Sequence, residues 1–198
     1  AVGLAAIPGP ILEVLFWGQE EACALAAPLL RLLAPSVFFA AMVSVSNPVL
    51  QAMGRVQRPV VSMALGALVK AECNYALVGI PEVGIHGAPI ATGLCYGVIL
   101  LLNLLSIRRL GVRFSLRRSF LRPLLSAGVM GLAVWAGYAP IRGLFGAGRL
   151  MSLCALLAVI ALAAGLYLAM LVWTRALPRE DILMLPKGEK IVKWLKIQ

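Results

Sequence analysis

LMSLCALLAVIALAAGLYLAMLVW, residues 150–173, contains no charged side chain anywhere along its length. At about 1.5 Å of rise per residue such a helix exceeds the ~30 Å hydrocarbon core of a bilayer. A helix in a soluble protein keeps one polar face, and this stretch has none. It reads as a membrane span. Working outward, four more stretches have comparable length and character: Pro28–Met53, Val60–Ile80, Ile85–Ile107 and Phe120–Ala139. The expected fold is an all-α membrane protein, a polytopic bundle of five spanning helices over residues 28–173. Composition agrees. Of the 198 residues, 62% are apolar and 13% charged, against about 45–50% and about 25% in soluble domains. That balance excludes a soluble globular domain, a disordered chain and a coiled coil. Cys23, Cys73, Cys95 and Cys154 are widely spaced within apolar runs, so they read as small hydrophobes rather than a disulfide framework.

Residues 1–27 differ from the rest. Ala1–Trp17 is apolar but interrupted by Pro8-Gly9-Pro10, and proline removes a backbone donor and clashes with the preceding turn. Ala1–Ile7 reads as the tail of a truncated span. Ile11–Trp17 reads as a short interfacial helix with Glu13 and Trp17 near the head groups. A single kinked span is the alternative. The opening residues lack a basic region and a cleavage site, and the expectation is a fragment of a longer membrane protein whose preceding helices are its partners.

The net charge of +10 invites a nucleic-acid reading, but the basic residues punctuate apolar runs instead of forming a face on a soluble body. Arg55 and Arg58 lie between the first and second spans. Six arginines, Arg108 to Arg122, lie between the third and fourth. Six more basic residues, Arg175 to Lys196, lie in the tail. These segments alternate onto one side and hold fourteen of the eighteen basic residues, while only Arg31, Arg142 and Arg149 fall opposite. Positive loops mark the cytoplasmic side, so the C-terminus is expected in the cytoplasm. In residues 174–198 Ile191, Val192, Trp194, Leu195 and Ile197 alternate with Lys190, Lys193 and Lys196. That pattern suits an amphipathic basic helix on an anionic leaflet, with membrane lipids as partners.

No hydrolytic, redox, metal or cofactor constellation is visible. A single histidine, His86, rules out multi-histidine metal sites and an ordinary Ser-His-Asp arrangement. The informative residues are Lys70, Glu72 and Asn74 in ALVKAECNYALV. Lys70 falls near mid-span, where a charge costs at least ~2.5–3.5 kcal/mol and faces protein or a wet cavity. Lys70 and Asn74, four apart, share a face, and Glu72 points elsewhere. Two readings stay open: a cavity cation for an anionic head group, or a buried structural pair with a helix outside this chain. Glu72 is the candidate for ion coupling. Asn47-Pro48 breaks the first span, either as a packing kink or as a cavity-lining hinge, and Gln51 is placed to hydrogen-bond a substrate. In the turn Pro81–Thr92, Gly84 and Gly87 permit unusual backbone angles and Pro89 fits a first helical turn. Gly93 and Gly97 form a small-xxx-small face for close helix packing.

Taken in order, NPVLQAMGRVQRPV (Asn47–Val60), GALVKAECNYALV (Gly66–Val78), VGIHGAPIATGLCY (Val83–Tyr96) and LPREDILMLPKGEKIVKWL (Leu177–Leu195) resemble the polysaccharide-exporter and lipid-flippase branch of the MOP (multidrug/oligosaccharidyl-lipid/polysaccharide) superfamily, in particular the stage V sporulation protein B group. The resemblance implies two pseudo-symmetric lobes around an alternately opening cavity, with this chain in the second lobe of a MATE/MOP-like flippase. It implies a transporter, not an enzyme, that moves a lipid-linked saccharide, such as a peptidoglycan or polysaccharide precursor, across the bacterial cytoplasmic membrane. Lys70 matches the group's lysine, and Gly84 and Gly87 match its small-residue turn. Glu72 stands where the group is apolar, and Pro89 replaces a small residue. Lys70, Asn74 and Gln51 are the expected substrate contacts. A cation-coupled drug antiporter of the same superfamily and a non-transporting membrane scaffold for cell-wall or spore assembly are the alternatives.

Overall fold

A computed structural model describes residues 1–111, 124–137 and 149–173. Every regular element among them is helical. They are α1 (Val2–Ala6), α2 (Pro8–Leu15), α3 (Glu20–Ala52), α4 (Gln57–Val78), α5 (Gly87–Arg109), α6 (Leu124–Gly137) and α7 (Arg149–Trp173), with a single 3₁₀ turn at Gly84–His86. Four segments are long and apolar enough to cross a membrane: α3, α4, the 3₁₀ turn with α5, and Leu150–Met170 of α7. The fourth expected span, Phe120–Ala139, is helical over α6, which at ~21 Å is shorter than a bilayer core among the described residues. The basic tail 174–198 and most of Arg108–Arg122 lie outside the described residues.

The chain divides into two compact units, one of Ala1 and Gly3–Phe114, the other of Ser115–Gln198 with Val2. The division falls inside the 28–173 segment read from sequence as one bundle. In the second unit, α6 and α7 flank an apolar cleft lined by Val134, Gly137, Val159 and Ala163, and Ala155 and Val159 are buried.

In the first unit the break near the start falls at Ile7, whose φ of −130° and ψ of 52° leave the helical region. A residue before proline is pushed out of the α conformation, and Pro8 then opens α2 at the position where its missing N–H does no harm. The second short helix therefore begins three residues earlier than Ile11, and α1 and α2 are two separate helices rather than one kinked span. Gly18, at φ 84°, turns the chain into α3, whose first turn carries Glu20 and Glu21 at the positive end of the helix.

α3 starts eight residues before the expected Pro28 and continues through Pro28, Pro35 and Pro48. Pro48 does not interrupt it, contrary to the expected break. Within a bilayer an unwound segment has no water to satisfy its backbone, so losing one hydrogen bond to proline is cheaper than losing a turn. The chain turns just beyond α3 at Gly54, φ 73°. The Gly54 N–H donates to Gln51 O at 2.9 Å and the Arg55 N–H to Leu50 O at 2.9 Å, the paired bonds of a Schellman cap. The cap reverses the chain into α4.

α5 packs along both α3 and α4, while α3 and α4 touch little beyond their connection. Val43 of α3 and Cys95 and Ile99 of α5 form a buried cluster. Gly66 of α4 admits α5: a Cβ there would run into the Cγ1 and Cδ1 of Ile99. Most other large apolar side chains point outward, among them Leu68, Leu101 and Leu162, which suits lipid or further protein as the surrounding medium.

Candidate functional site

Three polar groups interrupt the apolar helices. The first is the mid-span set on α4. Lys70 lies only about 4 Å past the middle of the helix by residue rise, as expected. Lys70 and Glu72 are both exposed, and neither has an ion-pair or hydrogen-bond partner among the described residues. Asn74 is half-buried, and its Oδ1 is buried without a hydrogen-bond partner. α4 is also the least apolar and least buried of the four spans, with 11% of its spanning window inside the fold. An unpaired ammonium and carboxylate at this depth face protein or water at far lower cost than hydrocarbon.

Gln51 does not join this set. It sits one residue from the end of α3, and its carbonyl is used by the Gly54 cap. Lys70 lies thirteen residues beyond the first residue of α4, roughly 20 Å along the axis. The tight α3–α4 reversal leaves Gln51 at the end of the bundle and the lysine near its middle.

The second group went unread in the sequence. Asn103 of α5 is fully buried. Its Nδ2 donates to Ser46 Oγ at 2.9 Å and to Asn47 Oδ1 at 2.7 Å. The donors are consistently arranged, while the Asn103 Oδ1 is itself buried without a hydrogen-bond partner among the described residues. The Ser46 hydroxyl donates to Val43 O, leaving a lone pair for Asn103. The Asn47 Nδ2 faces Met63 Sδ of α4 at 3.7 Å, leaving its oxygen for Asn103. Three helices meet in this one set, beside Pro48. The signal was present: a solitary asparagine in the apolar run ILLLNLLS, residues 99–106, is a marked residue inside a span.

The glycines separate into two kinds. Gly84 has φ 48°, as its turn position required. At Gly87 a Cβ would lie 2.7 Å from Leu77 Cβ and 2.9 Å from the Leu77 carbonyl carbon, so the start of α5 is pressed against the end of α4. Gly93 and Gly97 have no atom within 4 Å of an added Cβ. They line an apolar groove of about 410 Å³ with Leu32, Pro35, Phe39 and Leu101, and no helix packs on them among the described residues. The third polar group is a basic cleft beside the α3–α4 turn, lined by Arg55, Arg58 and Arg109.

The chain is 27% identical over 198 residues to the Bacillus subtilis (strain 168) protein described as "Uncharacterized membrane protein YabM", a match covering 99% of this chain and 36% of that protein. The chain is a multi-pass membrane protein. It spans little more than a third of the length of the curated relative it matches. No family model matches it, and no solved structure matches it. Among the described residues no group of histidine, cysteine or acidic side chains is placed to hold a metal ion.

Proposed function

We propose that this chain is part of a flippase-type transporter that moves a lipid-linked saccharide across the bacterial cytoplasmic membrane by alternating access, with the C-terminus in the cytoplasm. The observation that carries the reading is α4, the least buried and least apolar span, which presents Lys70 beside the unpartnered carbonyl of Asn74. In the whole protein that face borders a wet cavity, where the lysine meets a phosphate-bearing head group and Asn74 hydrogen-bonds to it. Attraction between the ammonium and a pyrophosphate strengthens as the effective dielectric falls. The resemblance of four ordered segments to the polysaccharide-exporter branch of the MOP superfamily supports the same reading, and so does the length of the relative, which leaves room for a second lobe. The reading assigns no covalent chemistry to the chain.

The test is Lys70→Ala in the full-length protein. Transport of a fluorescent lipid-linked saccharide in proteoliposomes is expected to fall to background while membrane abundance is unchanged, and Lys70→Arg is expected to retain part of the activity. Wild-type rates in the alanine variant would remove Lys70 from the mechanism. One observation favours a second reading. Glu72 is an exposed, unpaired carboxylate at the same depth, the group a cation-coupled antiporter needs. Glu72→Gln activity that is independent of the ion gradient would count against that antiporter.

A further inference from the structure

The turn between α3 and α4 and the end of α5 enclose a polar cleft of about 180 Å³ lined by Arg55, Arg58, Ser106, Arg109 and Leu110. None of the three guanidinium groups has an ion-pair or hydrogen-bond partner among the described residues. Arg109 has a local reason to be there, since it complements the negative C-terminal end of α5. Arg55 and Arg58 have the opposite relation to their helix. Arg55 precedes and Arg58 lies within the first turn of α4, which has no side-chain cap and no acidic residue. Cations at a positive helix end are unfavourable until an anion arrives. Three unpaired arginines thus line one cleft, two of them at a helix start without a side-chain cap, and the cleft is in need of negative charge.

The surroundings indicate which anion. Val56, Val60 and Val61 at the start of α4 and Leu105 near the end of α5 are large exposed apolar side chains within a few residues of the cleft's arginines along the chain. A ligand with a charged head and an apolar body fits this arrangement, and a freely soluble anion uses only half of it. We propose that Arg55, Arg58 and Arg109 form a binding site for the phosphate head group of an anionic membrane lipid, with its acyl chains along the exposed valines of α4. Basic pockets between spanning helices bind lipid phosphates in this way, and arginine offers the phosphate two parallel hydrogen bonds. The site is separate from Lys70, some 20 Å along α4, and does not depend on the transport reading.

Arg108 makes the experiment decisive. It is a neighbour of Arg109 in the same last turn of α5, equally charged and exposed, but it does not line the cleft. The full-length protein, purified in neutral detergent, is titrated with short-chain phosphatidylglycerol, and binding is read as thermal stabilisation. Arg55→Gln, Arg58→Gln and Arg109→Gln are each expected to weaken binding about fivefold, with partial recovery in the corresponding lysine variants. Arg108→Gln and Arg31→Gln are expected to leave binding unchanged. Short-chain phosphatidylcholine and inorganic phosphate are expected to stabilise weakly or not at all. Equal weakening by Arg108→Gln would mean diffuse surface charge and overturn the site. Inorganic phosphate binding as tightly as phosphatidylglycerol would overturn the lipid assignment.

Discussion

Removing the Asn103 side chain tests whether the buried polar network joins α5 to α3. Asn103 donates two interhelical hydrogen bonds, at 2.9 and 2.7 Å. Hydrogen bonds between helices in a membrane protein average ~0.6 kcal/mol and reach ~1.7 kcal/mol. Two of them amount to about 1.2 kcal/mol, with an upper bound of about 3.4 kcal/mol. Asn103→Ala also leaves the Asn47 oxygen without its donor and opens a small void, so the single variant is expected to lose about 2–3 kcal/mol. A double-mutant cycle isolates the bonds themselves. One arm is Asn103→Ala, the other is Ser46→Ala with Asn47→Ala, and the contact between Asn47 and Met63 cancels because it is lost in both variants carrying the second arm. The assay is unfolding of the full-length protein by sodium dodecyl sulfate in mixed micelles, followed by tryptophan fluorescence. The expected coupling energy is at least ~1 kcal/mol. Coupling below ~0.3 kcal/mol, the scatter expected of independent sites, would refute the network. Asn74→Ala provides the contrast. Asn74 makes no hydrogen bond among the described residues, so its removal is expected to cost well under 1 kcal/mol in the same assay.

Other expectations follow from the packing and the topology. Gly87→Ala is expected to destabilise the protein by more than ~1 kcal/mol, because the new methyl meets the Leu77 backbone carbon at 2.9 Å and backbone cannot rotate away; a detergent melting curve unchanged from wild type would contradict this. Gly93→Ala meets open space and is expected to be neutral or to stabilise by up to ~1 kcal/mol through helix propensity; strong destabilisation would reveal a helix seated on the groove. Gly66→Ala is expected to destabilise through Ile99 and to be rescued in part by Ile99→Ala, which vacates the two contacting carbons; an unrescued double variant would mean that the clash lies elsewhere. A reporter fused after Gln198 is expected to be active as a cytoplasmic fluorescent protein and inactive as a periplasmic-type phosphatase, in line with the positive-side bias, and the reverse pattern would invert the topology.

Most of the chain's course through the membrane was legible as a sum. Hydropathy accumulates along a window whatever the neighbours are, so the uncharged run at 150–173 and the stretches around α3, α4 and α5 declared themselves as spans. Local punctuation was readable in part: Gly84, read as a turn glycine, occupies a left-handed conformation that a side chain would strain, whereas Gly54, which does the same, was not singled out. Boundaries were less so. α3 runs eight residues further back than the expected Pro28, because an acidic first turn at the positive helix end extends a helix beyond the part that hydropathy detects.

What the sequence by itself determined is that the chain spans a membrane repeatedly and that a lysine, a glutamate and an asparagine stand in the middle of one span. Only the tertiary structure decided which of these groups meet. Gly66 and Gly87 lie at close approaches, whereas Gly93 and Gly97, with the better motif, face an open groove. Asn103 donates its amide to Ser46 and Asn47 on α3, whereas Asn74 makes no hydrogen bond, and both keep a buried, unpartnered oxygen among the described residues. Gln51 lies at the end of α3 beside the Gly54 cap, about 20 Å along the axis from Lys70. The physical reason is common to all three. Burial in lipid depends on what a residue is, whereas contact between helices depends on their rotation and vertical offset, which are set jointly by side chains distant in sequence.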